Sequence, residues 1–233
     1  MKPIIGIVGR PTFPDEDLNN ALITVKESYR NVIIKNGGIP IAILPPKQIF
    51  YNNAKSSEVS ELTEDEKDIL MTQLKLCDGI LMPGGYKVFS HDFFILDYAI
   101  SNNIPVLGIC LGMQIMSNYK CEYYNERIEN NTNHFDISGK VIHDVKIKKD
   151  SKLYSIINKE VIGVNSMHNF RATKGGIYDI VATSDDGVIE ALELPNAVFN
   201  IGVQWHPEVL DNDDSNKLFQ VFIKSTLKRK NQI

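Results

Sequence analysis

Long apolar runs are missing from this chain of 233 residues, and none approaches the roughly 20 residues that a membrane-spanning helix needs. The start, Met1-Lys2-Pro3 running into Ile4-Ile5-Gly6-Ile7-Val8, is too short for a signal h-region and has no cleavage site. Cysteine is scarce: Cys77, Cys110 and Cys121 form an odd set of three with no Cys-x-x-Cys spacing. That excludes a disulfide framework and argues against a zinc or redox pair. Without a leader it also points to reduced thiols in a cytoplasmic compartment. Basic clusters are lacking too, apart from Lys228-Arg229-Lys230, which reads as a solvated helix end. With a net charge of -4 and scattered Lys and Arg, neither nucleic acid nor an anionic membrane is an expected partner. What is present is the mix of an ordinary globular protein, 43% hydrophobic and 23% charged. No repeat, low-complexity tract or linker-like shift in composition divides it, so residues 1–233 are read as one domain.

Taken in order, the first half alternates strand and helix. Residues 4–8 read as a strand, ended by Gly9 and Pro11. The acidic Pro14-Asp15-Glu16-Asp17 can cap a helix over 18–35, with Leu22, Val25, Tyr29, Val32 and Ile33 at helical spacing. Asn36-Gly37-Gly38 is a C-terminal stop, and 39–44 a second strand. Residues 47–63 are polar and weakly periodic, a surface loop or a lid. Thr63 should cap a helix running to about Lys75. A strand over 77–82, a helix over 93–102 and a strand over 106–109 follow. Four strands alternating with three helices predict an α/β fold with an open, mainly parallel, doubly wound sheet. Beyond the polar stretch 118–139 come short β-like segments at 140–147, 161–165, 178–183, 188–194 and 198–204. They predict a small antiparallel β region added in the C-terminal half. An amphipathic helix over 212–228 closes the chain.

Two stretches carry chemistry. In Gly108-Ile109-Cys110-Leu111-Gly112 a buried strand turns sharply into a helix, the cysteine form of a nucleophile elbow. Glycines two residues either side suit a turn that leaves no room for Cβ atoms. A helix N-terminus favours a thiolate at Cys110. The alternative is a buried structural cysteine. The second stretch is Gly202-Val203-Gln204-Trp205-His206-Pro207-Glu208, ending a strand. Residues two apart in extended chain share a face, so His206 and Glu208 can pair. Alone they would be an ordinary surface His and Glu. With the elbow they supply a base for the thiol proton and a carboxylate to orient that base. Gly84-Gly85 ends a neighbouring strand and should lie beside Cys110. His91, His134 and His143 are read as structural or surface residues, and no metal ligand set and no cofactor is expected.

Pro83-Gly84-Gly85, Gly108 through Gln114 and Trp205-His206-Pro207-Glu208 resemble class I glutamine amidotransferases in order and spacing. Val164-Asn165-Ser166-Met167-His168 and 184–191 are similar to the γ-glutamyl hydrolase branch that includes γ-glutamyl-γ-aminobutyrate hydrolase. The resemblance implies a flavodoxin-like fold and a Cys110–His206–Glu208 triad acting on a small γ-glutamyl amide. It also implies an oxyanion hole of the Gly85 and Leu111 backbone N–H groups. Gln114 and the backbone of Ser166, Met167 and His168 would hold the glutamyl group. For Gln114 a helix-face polar residue, and for His168 a satisfied strand-end histidine, are the competing readings. Lys87, Leu111 and Phe170 depart from the hydrolase pattern, which leaves the leaving amine open. A stand-alone hydrolase is therefore weighed against a glutaminase subunit feeding ammonia to a separate synthase, and against a non-catalytic regulatory member of the fold. A homodimer is compatible with all three.

Overall fold

The computed structural model describes residues 1–13, 21–49, 60–121, 125–129 and 133–230. Its first half runs β1 (Ile4–Val8), β2 (Arg10–Thr12), β3 (Leu22–Thr24), α1 (Glu27–Lys35), β4 (Ile39–Ile43), α2 (Glu64–Leu74) and β5 (Gly79–Met82). Then come α3 (Ser90–Ser101), β6 (Val106–Ile109), α4 (Leu111–Asn118) and β7 (Asn125–Arg127). The second half adds β8 (His143–Ile147), α5 (Lys152–Ile157), β9 (Val161–Val164) and β10 (Phe170–Ala172). It closes with β11 (Asp179–Ser184), β12 (Ile189–Glu193), β13 (Asn200–Val203) and α6 (Asp213–Lys230).

One nine-stranded sheet has the order β4-β1-β5-β6-β13-β12-β11-β8-β9. Its first five strands are mutually parallel, and its last four continue antiparallel. The α/β reading thus holds, and the C-terminal β region is the far wing of the same sheet. The join is β13, the last strand in sequence, which pairs parallel to β6 on one edge and antiparallel to β12 on the other. Period-two alternation sends Ile5, Ile7, Leu107 and Ile109 into a core under α1 and α6 with Tyr29, Ile33 and Phe222. It sends Val8, Ile80, Met82 and Val106 into the opposite core with Leu70, Leu74 and Ile95 from α2 and α3. Both faces are covered, as a parallel sheet requires. Thr63 caps α2 as expected, in a capping box with Glu66.

Some boundaries differ from expectation. Helical spacing over 18–35 holds only from Glu27 onward, because Leu22–Thr24 is β3, paired antiparallel with β2. Ile23, Thr24 and Val25 are β-branched and favour extended chain, and pairing with β2 satisfies their backbone. The acidic residues 14–17 lie outside the described residues, as do 50–59 of the expected loop or lid. The short helix α5, with Ser151 accepting from the Tyr154 N–H as its cap, has no counterpart in the sequence reading.

The tightest packing sits where α4 crosses β5, β6 and β13. A Cβ on Gly112 would stand 2.1 Å from the Met82 carbonyl oxygen, and one on Gly108 would stand 2.7 Å from Met116 Sδ. A Cβ on Gly202 would stand 2.7 Å from Met113 Cγ. The Gly112 clash is with backbone and cannot be relieved by a rotamer change. Gly112→Ala is therefore expected to cost about 3 kcal/mol or more in urea denaturation. Gly187, at φ +82° but facing open space, is the contrast, and Gly187→Ala should cost only about 1 kcal/mol. Equal losses at the two positions would contradict this packing.

Candidate active site

Three neighbouring parallel strands deliver the candidate residues at their carboxyl ends. β5 runs into Pro83-Gly84-Gly85, β6 into Cys110, and β13 through Gln204 into His206 and Glu208. Cys110 caps α4 at φ 53° and ψ -105°, a conformation that L residues rarely hold. Its backbone N–H donates to the Val203 carbonyl at 2.8 Å, tying the elbow to β13. The side chain is largely buried and stands beside the His206 ring. On the other side of the ring, His206 Nδ1 lies 2.6 Å from Glu208 Oε1. Gly84 fits among these groups: a Cβ there would stand 3.0 Å from His206 Cε1 and 3.5 Å from Cys110 Cβ. Gly85 lies against Leu111, where a Cβ would meet Leu111 Cδ2 at 3.0 Å. The two backbone segments expected to hold an oxyanion are thus adjacent, and Leu111 opens α4, where helix N–H groups have no intrahelical partner.

Burial alone would depress the His206 pKa, but the charges of Glu208 and Cys110 and its hydrogen bonds to both outweigh burial and raise it to about 10. The ring is therefore an imidazolium at neutral pH, the partner a thiolate needs. A histidine raised on folding contributes stability that is fully present below its unfolded pKa near ~6.5. That contribution is lost as pH climbs through the folded value of about 10.

Two supporting residues were not assigned roles from sequence. Asn165, fully buried, clamps the His206 backbone from both sides: Nδ2 donates to His206 O at 3.0 Å, and His206 N donates to Oδ1 at 2.9 Å. The Tyr29 hydroxyl accepts from the Gly84 N–H at 3.0 Å and stands beside Glu208. Burial, then the charges of Glu208 and Cys110, push this phenol well above its ordinary pKa, so it stays an O–H. Asn165 could have been noticed as a polar residue ending an apolar strand. Tyr29 had no such signal, since its spacing on α1 is that of any core aromatic.

The residues expected to bind substrate are engaged in contacts within the protein. Gln114 Nε2 donates to Phe170 O at 2.9 Å and to Gln204 Oε1 at 3.1 Å, and its Oε1 accepts from Asn125. Both amide hydrogens are thus committed inside the protein. Ser166 Oγ donates to His134 O, and Ser166 O accepts from Asp136 N. Met167 bridges Phe135, and His168 N donates to His134 O. The His168 ring is turned into the interior, with Nδ1 3.0 Å from Phe170 O and Nε2 facing Glu190. Its Nδ1 thus has an acceptor, while Nε2 is buried without a hydrogen-bond partner. His134 and His143, expected to stand apart from any carboxylate, instead meet that same Glu190. β12 carries Glu190 with only β11 between it and β8, which carries His143, a juxtaposition that the chain's linear spacing does not contain.

An α/β sheet with a cysteine elbow, and a histidine–carboxylate pair on the adjoining strand, has the layout of a glutamine amidotransferase-like domain. Residues 89–208, just over half of the chain, match the Peptidase C26 family model, and the chain belongs to that family. A protein of Rickettsia prowazekii described as glutamine amidotransferase-like is 28% identical over 97% of this chain and 98% of its own length. The CTP synthase of Aquifex aeolicus is 26% identical over 93% of this chain, which corresponds to 46% of that protein. The glutaminase domain of Trypanosoma brucei CTP synthase, solved with bound acivicin, shares the fold at a TM-score of 0.64 and 18% identity. That alignment covers 97% of this chain and 94% of that one.

Glu208 is the largest influence raising His206, ahead of Cys110. In NMR spectra of the labelled protein, the His206 ring is expected to titrate well above the ordinary ~6.5. Glu208→Gln should bring that midpoint down. A wild-type midpoint at the ordinary value, or one unmoved by Glu208→Gln, would refute the arrangement.

Proposed function

We propose that this chain, acting as a single domain over residues 1–233, is a cysteine amidohydrolase that cleaves the γ-amide of glutamine or of a γ-glutamyl amide. The observation that carries the reading is the convergence of Cys110, His206 and Glu208 at adjoining strand ends, with the 2.6 Å His206–Glu208 bond holding the ring. In the proposed reaction Cys110 Sγ attacks the γ-carbonyl carbon, and the carbonyl electron pair moves onto oxygen. The backbone N–H groups of Gly85 and Leu111 hold that oxyanion. As the carbonyl re-forms, the C–N bond breaks and His206 gives its proton to the departing amine. The glutamyl group is left as a thioester on Cys110. His206, now neutral, takes a proton from water, which attacks the thioester and expels the thiolate, releasing glutamate. Glu208 stabilises the imidazolium in both halves, and Asn165 fixes the backbone from which the ring projects. All three cysteines are free, which fits a reducing, cytoplasmic setting.

A second reading is supported by the match to less than half of a CTP synthase. In it the chain is a glutaminase subunit that passes ammonia to a separate synthase. The chemistry at Cys110 is the same, and only the fate of the amine differs. Lys87, Leu111 and Phe170, which depart from the γ-glutamyl-γ-aminobutyrate hydrolase pattern, leave that amine open.

The test is glutamate release from glutamine and from a panel of γ-glutamyl amides. Cys110→Ala is expected to lower turnover by about a thousandfold or more. Retention of activity within tenfold of wild type would remove the proposal. Steady turnover by the chain alone favours the hydrolase, and slow turnover raised by a partner synthase favours the subunit reading.

A further inference from the structure

Outside the elbow, the most unusual feature of the molecule is a buried knot of three histidines around one carboxylate. Glu190 on β12 is fully buried, and among the described residues neither of its carboxylate oxygens has a hydrogen-bond partner. Its Oε1 is faced by His134 Nδ1 at 3.6 Å, His143 Nε2 at 3.6 Å and His168 Nε2 at 3.8 Å. These three ring nitrogens are likewise buried without partners. The spacings are too long for hydrogen bonds, which close at about 2.7–3.2 Å. A buried carboxylate and three buried imidazole nitrogens left unsatisfied together would be costly.

The far side of each ring explains what the near side presents. His134 Nε2 sits 2.9 Å from Asp186 Oδ2, His168 Nδ1 3.0 Å from Phe170 O, and His143 Nδ1 3.2 Å from Asp144 O. In each case the outer nitrogen faces an oxygen acceptor, which favours the tautomer that carries its hydrogen there and turns a lone pair inward. Three lone pairs and an anionic carboxylate then point at one another. This arrangement is repulsive unless a cation sits between them. Outer partners of this kind, a carboxylate or a carbonyl behind each imidazole, are what orient histidines that ligate metals.

The geometry points to a site for a divalent transition metal of the zinc class, bound by His134, His143 and Glu190, with the His168 ring facing the same carboxylate oxygen from beside it. Ligand atoms about 2.0–2.1 Å from a tetrahedral zinc are spaced about 3.3 Å apart. The 3.6 Å separations of His134 Nδ1 and His143 Nε2 from Glu190 Oε1 would close onto that figure with small rotations. Ligand atoms of His134, His143 and Glu190 already lie within 4.8 Å of one another. Imidazole with a carboxylate selects zinc and its first-row neighbours over magnesium or calcium, which prefer all-oxygen shells. Three protein ligands leave a fourth position of a tetrahedral ion for water.

The site would brace the catalytic wall. Glu190 O accepts from Gln204 N at 2.8 Å, two residues before His206, and Asn165, which clamps His206, lies three residues before His168. The metal would join β8, β12 and the segment carrying His134 at one point, beside His168.

The test uses the full chain, stripped with chelator and titrated with zinc(II) and, separately, cobalt(II). One equivalent of zinc should survive gel filtration and raise the melting temperature. Cobalt should give intense visible d–d bands of a tetrahedral ion, without sulfur-to-metal charge transfer. His143→Ala and Glu190→Gln should weaken binding by at least about a hundredfold, and Asp186→Asn by about tenfold. Cys110→Ala and His206→Gln should leave it intact. Failure to retain zinc, a six-coordinate cobalt spectrum, or loss of binding in His206→Gln but not in Glu190→Gln would overturn the assignment. If His143→Ala does not fold, the wild-type cobalt spectrum and Glu190→Gln still decide it.

Discussion

Everything at the candidate active centre depends on one close approach, that of α4 to the strands beneath it. Gly112 rests on the Met82 carbonyl, while Gly108 and Gly202 receive Met116 and Met113. Only with these three Cβ atoms absent can the helix start directly above β5, β6 and β13. Cys110 is then forced to positive φ and is held there by its N–H bond to Val203. Strain of this kind persists only where the surroundings over-determine it. Here a packed helix and two adjoining strands do so. The same approach sets Leu111 against Gly85 and brings His206 to Cys110.

β13 is the second organising element. It is the last strand in sequence yet sits in the middle of the sheet, parallel to β6 and antiparallel to β12. That position lets one strand join the nucleophile on one side to the buried Glu190 assembly on the other. Two buried polar clusters therefore flank a single strand. One is the bonded His206–Glu208 pair beside Cys110, and the other is a histidine–carboxylate knot whose inward atoms have no hydrogen-bond partner among the described residues. Asn165 connects them, through its own bonds to His206 and the chain that leads to His168. A buried ion pair, Arg10 with Asp92, joins the start of β2 to α3 beside the Gly84-Gly85 turn.

Much of this was legible in the chain. Strands at 4–8, 79–82 and 106–109 announce themselves as short apolar runs closed by Gly, Pro or a helix start, because burial on both faces removes any need for polar alternation, and the edge strand at 39–43 shows as an apolar run closed by prolines. Cys110, His206 and Glu208 are legible because their chemistry is carried by spacings of two and by the glycines around them. The false extension of α1 through Leu22–Thr24 shows the limit of periodicity. Leu22 and Val25 fit a helix, but pairing with Arg10–Thr12 overrides that fit.

What the sequence determined by itself is what lies within a few residues: the turn at Cys110, the shared face of His206 and Glu208, the Thr63 cap, and the alternation that makes a covered sheet. Tertiary structure decided which distant groups meet. Tyr29 beneath Gly84, Gln114 locked to Gln204 and Phe170, and His134, His143 and His168 around Glu190 all depend on strand order. The physical reason is that local rules of backbone geometry and burial act along the chain. Satisfying buried polar atoms is settled across it, between residues whose proximity exists only once β12 and β13 have taken their places in the sheet.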